Sequence, residues 1–183
     1  MNSNKRIIGV VPVGGVPELV PRVIVGHIIG YFQLAAEILS PCESPAAAFD
    51  KIHRQYNAAM ILSLFESGPY DNYDKIIGVF SGDLFIPTFA YVFGEAQQGG
   101  KHALVSLFRL TLEKEGHSPP SAILCERAAK VALHELGHLY NLSHCEEKNC
   151  LMHYSGGLAD LDSIPLYFCR YCSIYFKDAL ARP

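Results

Sequence analysis

Two sets of potential metal ligands follow one another directly near the end of this chain, and they constrain its fold more than any other feature. The first set consists of three histidines, His134, His138 and His144. The second set consists of four cysteines, Cys145, Cys150, Cys169 and Cys172. Because His144 and Cys145 are neighbours, the chain must bring both sets close to one short segment.

The segment HELGH lies on a predicted helix over residues 121–140. Positions i and i+4 share one face of a helix, so His134 and His138 can reach the same Zn²⁺. Glu135 points about 100° further round the helix, where it can take a proton from a water that zinc has made more acidic. Taken alone, the segment also fits a helix with two polar surface histidines.

His144 strengthens the zinc interpretation. A continuing helix would carry it away from His138, so the chain must turn between these residues. In the pattern H-E-x-x-H-x-x-G-x-x-H a glycine makes this turn, and Asn141 stands at that position here. Asparagine is the best non-glycine residue for a positive φ, so the turn stays feasible at a cost of about 1 kcal/mol. We therefore predict a catalytic type of zinc site with three histidine ligands.

The four cysteines form two short pairs, C-x₄-C and C-x-x-C, at spacings found in zinc sites. They predict a closed structural zinc, with a redox C-x-x-C and two disulfides as the alternatives. Consecutive residues of an extended segment point to opposite sides, so His144 and Cys145 should bind different metals. The other two cysteines, Cys42 and Cys125, are expected to be buried small apolar residues.

Composition argues against several classes of protein. The formal net charge is −3, so nothing indicates a nucleic acid or an anionic membrane as a partner. No apolar run approaches the ~18 residues of a membrane helix, and the stretch at 7–13 lacks the cleavage site of a signal peptide. We expect a soluble, cytoplasmic protein whose reduced thiols favour metal binding over disulfides.

Hydrophobic periodicity predicts an α/β (α+β) fold in a single domain of residues 1–183. The expected elements are a strand at 6–12, a helix at 17–30, a strand at 31–39, a helix at 50–66, a strand at 75–80, hairpin strands at 89–93 and 103–108, and a helix at 121–140. The rest is cysteine-rich and turn-rich, so an irregular tail is expected. We expect an upper subdomain of about 1–141 and a lower one of about 142–183.

The combined pattern HELGHLYNLSHC, C-x₄-C-x-M and C-x-x-C resembles the archaemetzincins, a zinc-peptidase family within the metzincins. Weaker similarity extends upstream to the segment FGEA at 93–96 and to Arg127 and Lys130. Asn141 departs from the glycine of the wider metzincin pattern.

The resemblance implies a metzincin-like fold: a mixed five-stranded twisted sheet, a backing helix, an active-site helix and a small zinc-bound C-terminal subdomain. It implies that Met152 lies in the Met-turn under the catalytic zinc, where it packs without coordinating. It also implies that an edge strand, expected at 89–93, borders the cleft and pairs with an extended peptide.

The segment Met152-His153-Tyr154 is similar to the Met-turn M-x-Y of astacin-type metzincins. Tyr154 could therefore donate a hydrogen bond to the oxyanion or act as a fifth ligand. A tyrosine packed in the pocket wall is the alternative. We expect His153 to face solvent rather than to bind metal.

Together these features predict a zinc metallopeptidase that hydrolyses peptide bonds with a zinc-activated water and Glu135 as general base. Two zinc ions per chain are expected, one catalytic and one structural, in a monomer that binds peptide or protein substrates in an extended conformation. The alternatives are a non-catalytic or very narrow-specificity zinc protein that binds peptides, and a hydrolase of small amides. Glu135 argues against the non-catalytic alternative, because a purely structural site needs no base.

Overall fold

A mixed five-stranded sheet forms the centre of the protein, for which a computed structural model describes residues 6–111 and 121–182. Across this sheet the strands are β2 (Ala35–Ile38), β1 (Ile7–Val13), β5 (Lys75–Phe80), β9 (His102–Ser106) and β8 (Gly94–Ala96). The first four are parallel, and β8 runs antiparallel to β9 along one edge. The expected mixed five-stranded sheet is therefore confirmed.

A second sheet, of four short strands, has no counterpart in the sequence prediction. Its order is β3 (Phe49–Asp50), β4 (Gln55–Asn57), β6 (Leu84–Ile86) and β7 (Phe89–Val92). Strand β7 pairs with β6, whereas the strand that pairs with β9 is β8. The predicted hairpin is therefore wrong in its first strand, because the chain bends at Phe93 and passes from one sheet to the other.

Five α-helices accompany the sheets in the part of the chain that the structure describes: α1 (Leu19–His27), α2 (Ala58–Glu66), α3 (Ser121–Leu139), α4 (Leu158–Ser163) and α5 (Arg170–Ala181). The predicted helix at 121–140 is confirmed. A π-helical turn over Ile28–Phe32 continues α1, so the strand predicted at 31–39 begins only at Ala35. Among the described residues, no helix combines the length and apolarity that a membrane span requires.

The first half of the helix predicted at 50–66 is instead the end of β3, a turn at 51–54 and strand β4. The Asp50 carboxylate accepts a hydrogen bond from the backbone N–H of Ile52 (2.7 Å), and Arg54 has a left-handed φ of 56°. Such local bonds compete with helix formation. Helix α2 therefore begins only after its Asn57 cap.

The prediction of an irregular C-terminal tail is wrong for α5. Phe176 of this helix stacks on Phe32 with ring centroids 4.4 Å apart. Leu151 and Met152 are completely buried and belong to the same hydrophobic core as α1, α3 and one face of the large sheet. Helix α2 and the second sheet cover the other face. The C-terminal region thus packs directly against the helix that carries HELGH.

Candidate active site and metal clusters

Helix α3 carries the HELGH segment and ends at a left-handed residue. Asn141 has a φ of 66°, as the sequence predicts. Its N–H donates to the carbonyl of His138 (2.9 Å), and the N–H of Leu142 donates to the carbonyl of Gly137 (3.0 Å). These two bonds form a Schellman motif. They reverse the chain, so that His144 returns towards α3.

Three imidazoles converge as a result. The ligand nitrogens of His134, His138 and His144 all lie within 4.8 Å of one another. Nδ1 of His134 lies 2.8 Å from the carbonyl oxygen of Leu151, and Nδ1 of His138 lies 2.7 Å from that of Leu142. A carbonyl oxygen only accepts, so both Nδ1 atoms carry the proton and both Nε2 atoms present lone pairs.

This donor set fits a zinc ion. The Nε2 atoms of His134 and His138 lie 3.1 Å apart, so two lone pairs face each other. A cation between them would stabilise that arrangement. Two nitrogens at ~2.0–2.1 Å from one tetrahedral zinc would lie about 3.3 Å apart, close to the separation seen.

Partial or full burial favours the neutral form of the three imidazoles. It lowers the pKa of His134 to about 3, with a further contribution from nearby His138. It also lowers the pKa of His138 and of His144. Metals bind the neutral imidazole, so these pKa shifts favour the protonation state that coordination requires.

Glu135 lies against the edge of the large sheet and is only 6% exposed. A Cβ added at Gly94 of β8 would lie 2.5 Å from Oε1 of Glu135, so glycine at this position leaves room for the carboxylate. Burial raises the pKa of Glu135 well above its usual value, and the charge of Glu95 adds to the effect. A carboxyl group in these surroundings binds a proton more readily than one in water.

Met152 packs against the helix turn that carries His138. A Cβ added at Gly137 would lie 2.5 Å from Sδ of Met152, so this glycine lets the sulfur reach the helix backbone. The carbonyl of Met152 accepts a hydrogen bond from the N–H of Cys145 (2.8 Å). Met152 therefore joins α3 to the segment that carries the remaining ligands.

A cleft of about 630 Å³ opens beside the histidines. Its walls come from residues 89–96, from α3 and from the segment after Met152. Tyr154 lines it, is 51% exposed, and has its ring centroid 5.5 Å from that of His144. Residues 89–93 border the cleft as expected, but the edge strand of the five-stranded sheet on this side is β8.

Arg127 and Lys130, the family-like residues upstream, hold α4 against α3. Arg127 forms a bidentate pair with Asp162, with both N···O distances 2.7 Å. Nζ of Lys130 donates to the carbonyls of Leu161 (3.2 Å) and Asp162 (3.3 Å), and it pairs with Glu126 (2.8 Å). Because Leu161 and Lys130 line the cleft, these bonds position one of its walls.

The second ligand set also converges. The sulfur atoms of its four members lie within 4.8 Å of one another: Cys145, Cys150, Cys169 and Cys172. Sγ of Cys145 and Sγ of Cys169 lie 3.9 Å apart, close to the ~3.8 Å expected for two thiolates on one tetrahedral zinc. All six cysteines are free thiols. This geometry fits a metal and disagrees with the disulfide alternative.

The four thiols form hydrogen bonds with one another, and two of them lie at the N-terminus of α5. Burial raises the pKa of Cys150 and of Cys172. Burial would also raise the pKa of Cys169, but hydrogen bonds from the N–H of Cys172 and from neighbouring thiols lower it. Cys169 caps α5 and Cys172 lies in its first turn, where the helix dipole favours thiolate. A cation could replace the shared protons.

His153 contacts the backbone at the point where the two clusters meet. Its Nδ1 lies 2.8 Å from the carbonyl oxygen of Cys145, the residue after His144. The side chain is half-buried, so His153 faces solvent only in part. It belongs to neither ligand cluster.

Two glycines of the site were not predicted from the sequence, because their role is to leave space where a side chain would otherwise lie. Gly94 and Gly137 leave space for Glu135 and Met152, and only the family-like segment FGEA drew attention to the first. Cys125 is buried as expected. Cys42 is exposed, contrary to expectation, because its backbone bonds to Pro12 and Gly14 at the end of β1 without covering the thiol.

Comparison with known sequences gives consistent matches. A sequence model of peptidase family M54 matches residues 27–178. The archaemetzincin of Methanocaldococcus jannaschii is 34% identical over 170 residues, which cover 91% of this chain and 90% of the relative. The archaemetzincin of Methanopyrus kandleri is 36% identical over 138 residues, which cover 75% of each chain.

Comparison with solved structures agrees. The crystal structure of archaemetzincin from Methanopyrus kandleri has a TM-score of 0.88 at 30% identity and covers 100% of this chain and 99% of its own. A zinc-dependent peptidase from Methanocorpusculum labreanum has a TM-score of 0.83 at 27% identity, with 92% and 99% covered.

Proposed function

Because this chain belongs to the archaemetzincins, peptidase family M54, and is therefore a zinc metallopeptidase, we propose that His134, His138 and His144 hold its catalytic zinc and that Glu135 is the general base. The observation that carries this assignment is the convergence of three imidazoles within 4.8 Å at the wall of a cleft. Beside them stands a buried carboxyl group that has no need to fill a coordination position.

The positions of these groups suggest the role of each in the reaction. Bound zinc supplies Lewis-acid chemistry, since it polarises a carbonyl oxygen and lowers the pKa of water. Glu135 accepts a proton from the attacking water and returns it to the leaving amine. Gly94 keeps the carboxylate at the substrate-facing edge of β8, and Met152 supports the helix turn of His138 from the other side.

The substrate is a peptide in an extended conformation. Strand β8 is the edge of the five-stranded sheet, and it lines the cleft beside Glu135. A peptide laid along this edge would add a strand to the sheet through main-chain hydrogen bonds. Such binding places a backbone carbonyl near the three histidines without requiring a particular side chain.

Tyr154 is proposed as an oxyanion donor. Its ring lies against His144 and is half exposed in the cleft, instead of being packed inside the wall. From there the phenol can reach a carbonyl oxygen that carries developing negative charge.

The four converging cysteines are proposed to hold a second, structural zinc, which gives two zinc ions per chain. Four protein donors leave no position for substrate, in contrast to three. This zinc would hold together the lower subdomain of about 142–183, while residues up to about 141 form the upper one. A thiolate cluster favours a reducing compartment such as the cytoplasm, and we propose a monomer because one chain supplies all seven donors.

The test is digestion of a peptide library by the wild type, by Glu135→Ala and by the exposed control Glu147→Ala. We expect cleavage by the wild type and the control, and a loss of about 10²–10⁴-fold in Glu135→Ala. Zinc content measured on the same samples should not change. Equal cleavage by Glu135→Ala and wild type would refute the assignment of the base.

A further inference from the structure

The cleft is bridged at one place by a hydrogen bond. The hydroxyl group of Tyr91, on β7, donates to the carbonyl oxygen of Gly156, on the opposite wall, at 3.2 Å. Both residues line the cleft. The distance is long for a hydroxyl donor, so the bond is weak enough to open.

Tyr91 is held in this position by the partly exposed Arg109 and by the buried side chains of Asp83 and Gln55, which lie outside the histidine cluster. The guanidinium group of Arg109 lies 4.0 Å from the centroid of its ring. Arg109 in turn forms two hydrogen bonds to the buried carboxylate of Asp83, at 2.8 and 2.7 Å. Gln55 fixes the same carboxylate (2.9 Å) and also the carbonyl of Ala90 (2.9 Å), next to Tyr91. The tyrosine is therefore placed across the cleft before any substrate binds.

The bridge lies at a defined distance from the reacting centre. Gly94, which contacts Glu135, follows Tyr91 by three residues on the same wall. At ~3.3 Å per extended residue these three residues span at most about 10 Å, and the bend at Phe93 shortens the distance. A peptide paired with β8 therefore meets the bridge within about three residues of the bond that is cut.

We infer that the Tyr91–Gly156 bridge limits how far a substrate extends on one side of the scissile bond, and that Tyr91 is a specificity-determining residue. This inference rests on the proposed function. Antiparallel pairing is the more stable and more common arrangement for an added strand. In that orientation the part of the peptide after the scissile bond runs from Gly94 towards Tyr91. The enzyme then favours cleavage of peptide bonds close to the carboxyl terminus of the substrate. A substrate with a longer segment after the scissile bond must break the bridge.

The experiment measures binding instead of turnover. Two series of hydroxamates anchor on the zinc-loaded protein: succinyl hydroxamates lengthened by alanines after the anchor, and acetylated alanine peptides that end in glycine hydroxamate. Calorimetry gives each dissociation constant for wild type, Tyr91→Phe and the control Tyr175→Phe. Tyr91→Phe keeps the ring on Arg109 and removes only the bridging hydroxyl, and Tyr175 is exposed on α5, away from the cleft.

In wild type and in the control, affinity in the succinyl series should stop rising within about three residues. In Tyr91→Phe it should rise further, so that the longest member binds about threefold more tightly than to wild type. The glycine hydroxamates should bind all three proteins alike.

A succinyl series without a length limit, or with the same limit in Tyr91→Phe, would overturn the bridge proposal and leave the zinc assignment intact. A change in both series, or in the glycine series alone, would also overturn it. Failure of every hydroxamate to bind would refute the zinc site and the bridge together. Whether Glu135 is the general base is tested separately, by the peptide-library digestion with Glu135→Ala.

Discussion

The histidine cluster and the cysteine cluster are built from adjacent residues but differ in their support. Two of the three histidines stand on one rigid helix, and the third is returned by the turn at Asn141. The cysteines come from a loop and from the start of α5, with Cys150 completely buried. The first cluster faces a cleft of about 630 Å³ and offers three donors, whereas the second offers four.

The difference indicates which cluster serves chemistry and which serves folding. Two of the histidines are held by α3, whose core contacts do not require a metal. The loop between Leu142 and Phe168 has little regular structure besides α4. We therefore propose that its ordering depends more on metal binding at the thiol cluster. Metal loss should therefore affect activity at one site and stability at the other.

The largest expected effect is on stability, from Cys150→Ser. A structural zinc contributes ~10 kcal/mol or more to folding, comparable with the net stability of a domain. Losing even about 5 kcal/mol of this should lower the melting temperature by roughly 10–20 °C. Calorimetry should show such a drop, while the exposed control Cys42→Ser melts within about 2 °C of wild type. A Cys150→Ser protein as stable as the control would remove the folding role of the cysteines.

His138→Ala should have the opposite profile. It removes a donor from the histidine cluster, so peptidase activity should fall to the level of Glu135→Ala and one zinc per chain should be lost. Its melting temperature should fall by less than half as much as that of Cys150→Ser. Equal thermal losses in the two variants would contradict the division between the clusters.

Tyr154→Phe tests whether this residue of the cleft wall takes part in catalysis at the histidine cluster. If the phenol donates to the oxyanion, kcat should fall about 10²-fold with zinc content unchanged. The substrate must be one that wild type cleaves and Glu135→Ala does not. Tyr167→Phe, another exposed tyrosine, serves as the control. A rate within about twofold of wild type would leave Tyr154 with a packing role only.

The smallest expected effect concerns the turn that separates the clusters. Asn141→Ala places a Cβ-bearing residue without a polar side chain at a φ of 66° and should cost about 1–2 kcal/mol of unfolding free energy. Asn141→Gly should stay within about 0.5 kcal/mol of wild type, since glycine adopts this conformation freely. Urea unfolding measures both. If alanine and glycine behave alike, the left-handed turn is not what limits stability here.

Local chemistry made the site more predictable than much of the fold. The helical spacing of His134 and His138 and the positive φ of Asn141 follow from the backbone of a helix and its end, so short-range rules sufficed. The turn after Asp50 was missed because an apolar pattern continued through it, although aspartate favours such turns. The bend at Phe93 depends on which sheet each strand joins, which is a tertiary effect.

Helix α5 was missed for a different reason. Its first turn contains the C-x-x-C pair, which was interpreted as a metal motif in a loop, although Cys172 and Phe176 have helical spacing and both are buried. Likewise, the bridge from Tyr91 to Gly156 joins residues that are far apart in sequence, and no periodicity indicates it.

The most direct test of two separate sites is the zinc content of the folded, fully loaded protein. Elemental analysis against protein concentration should give two zinc ions per chain for wild type and for Glu135→Gln, and one for His138→Ala. A single zinc in folded, fully loaded wild type would contradict the account, because the histidine and cysteine sets would then not each hold a metal.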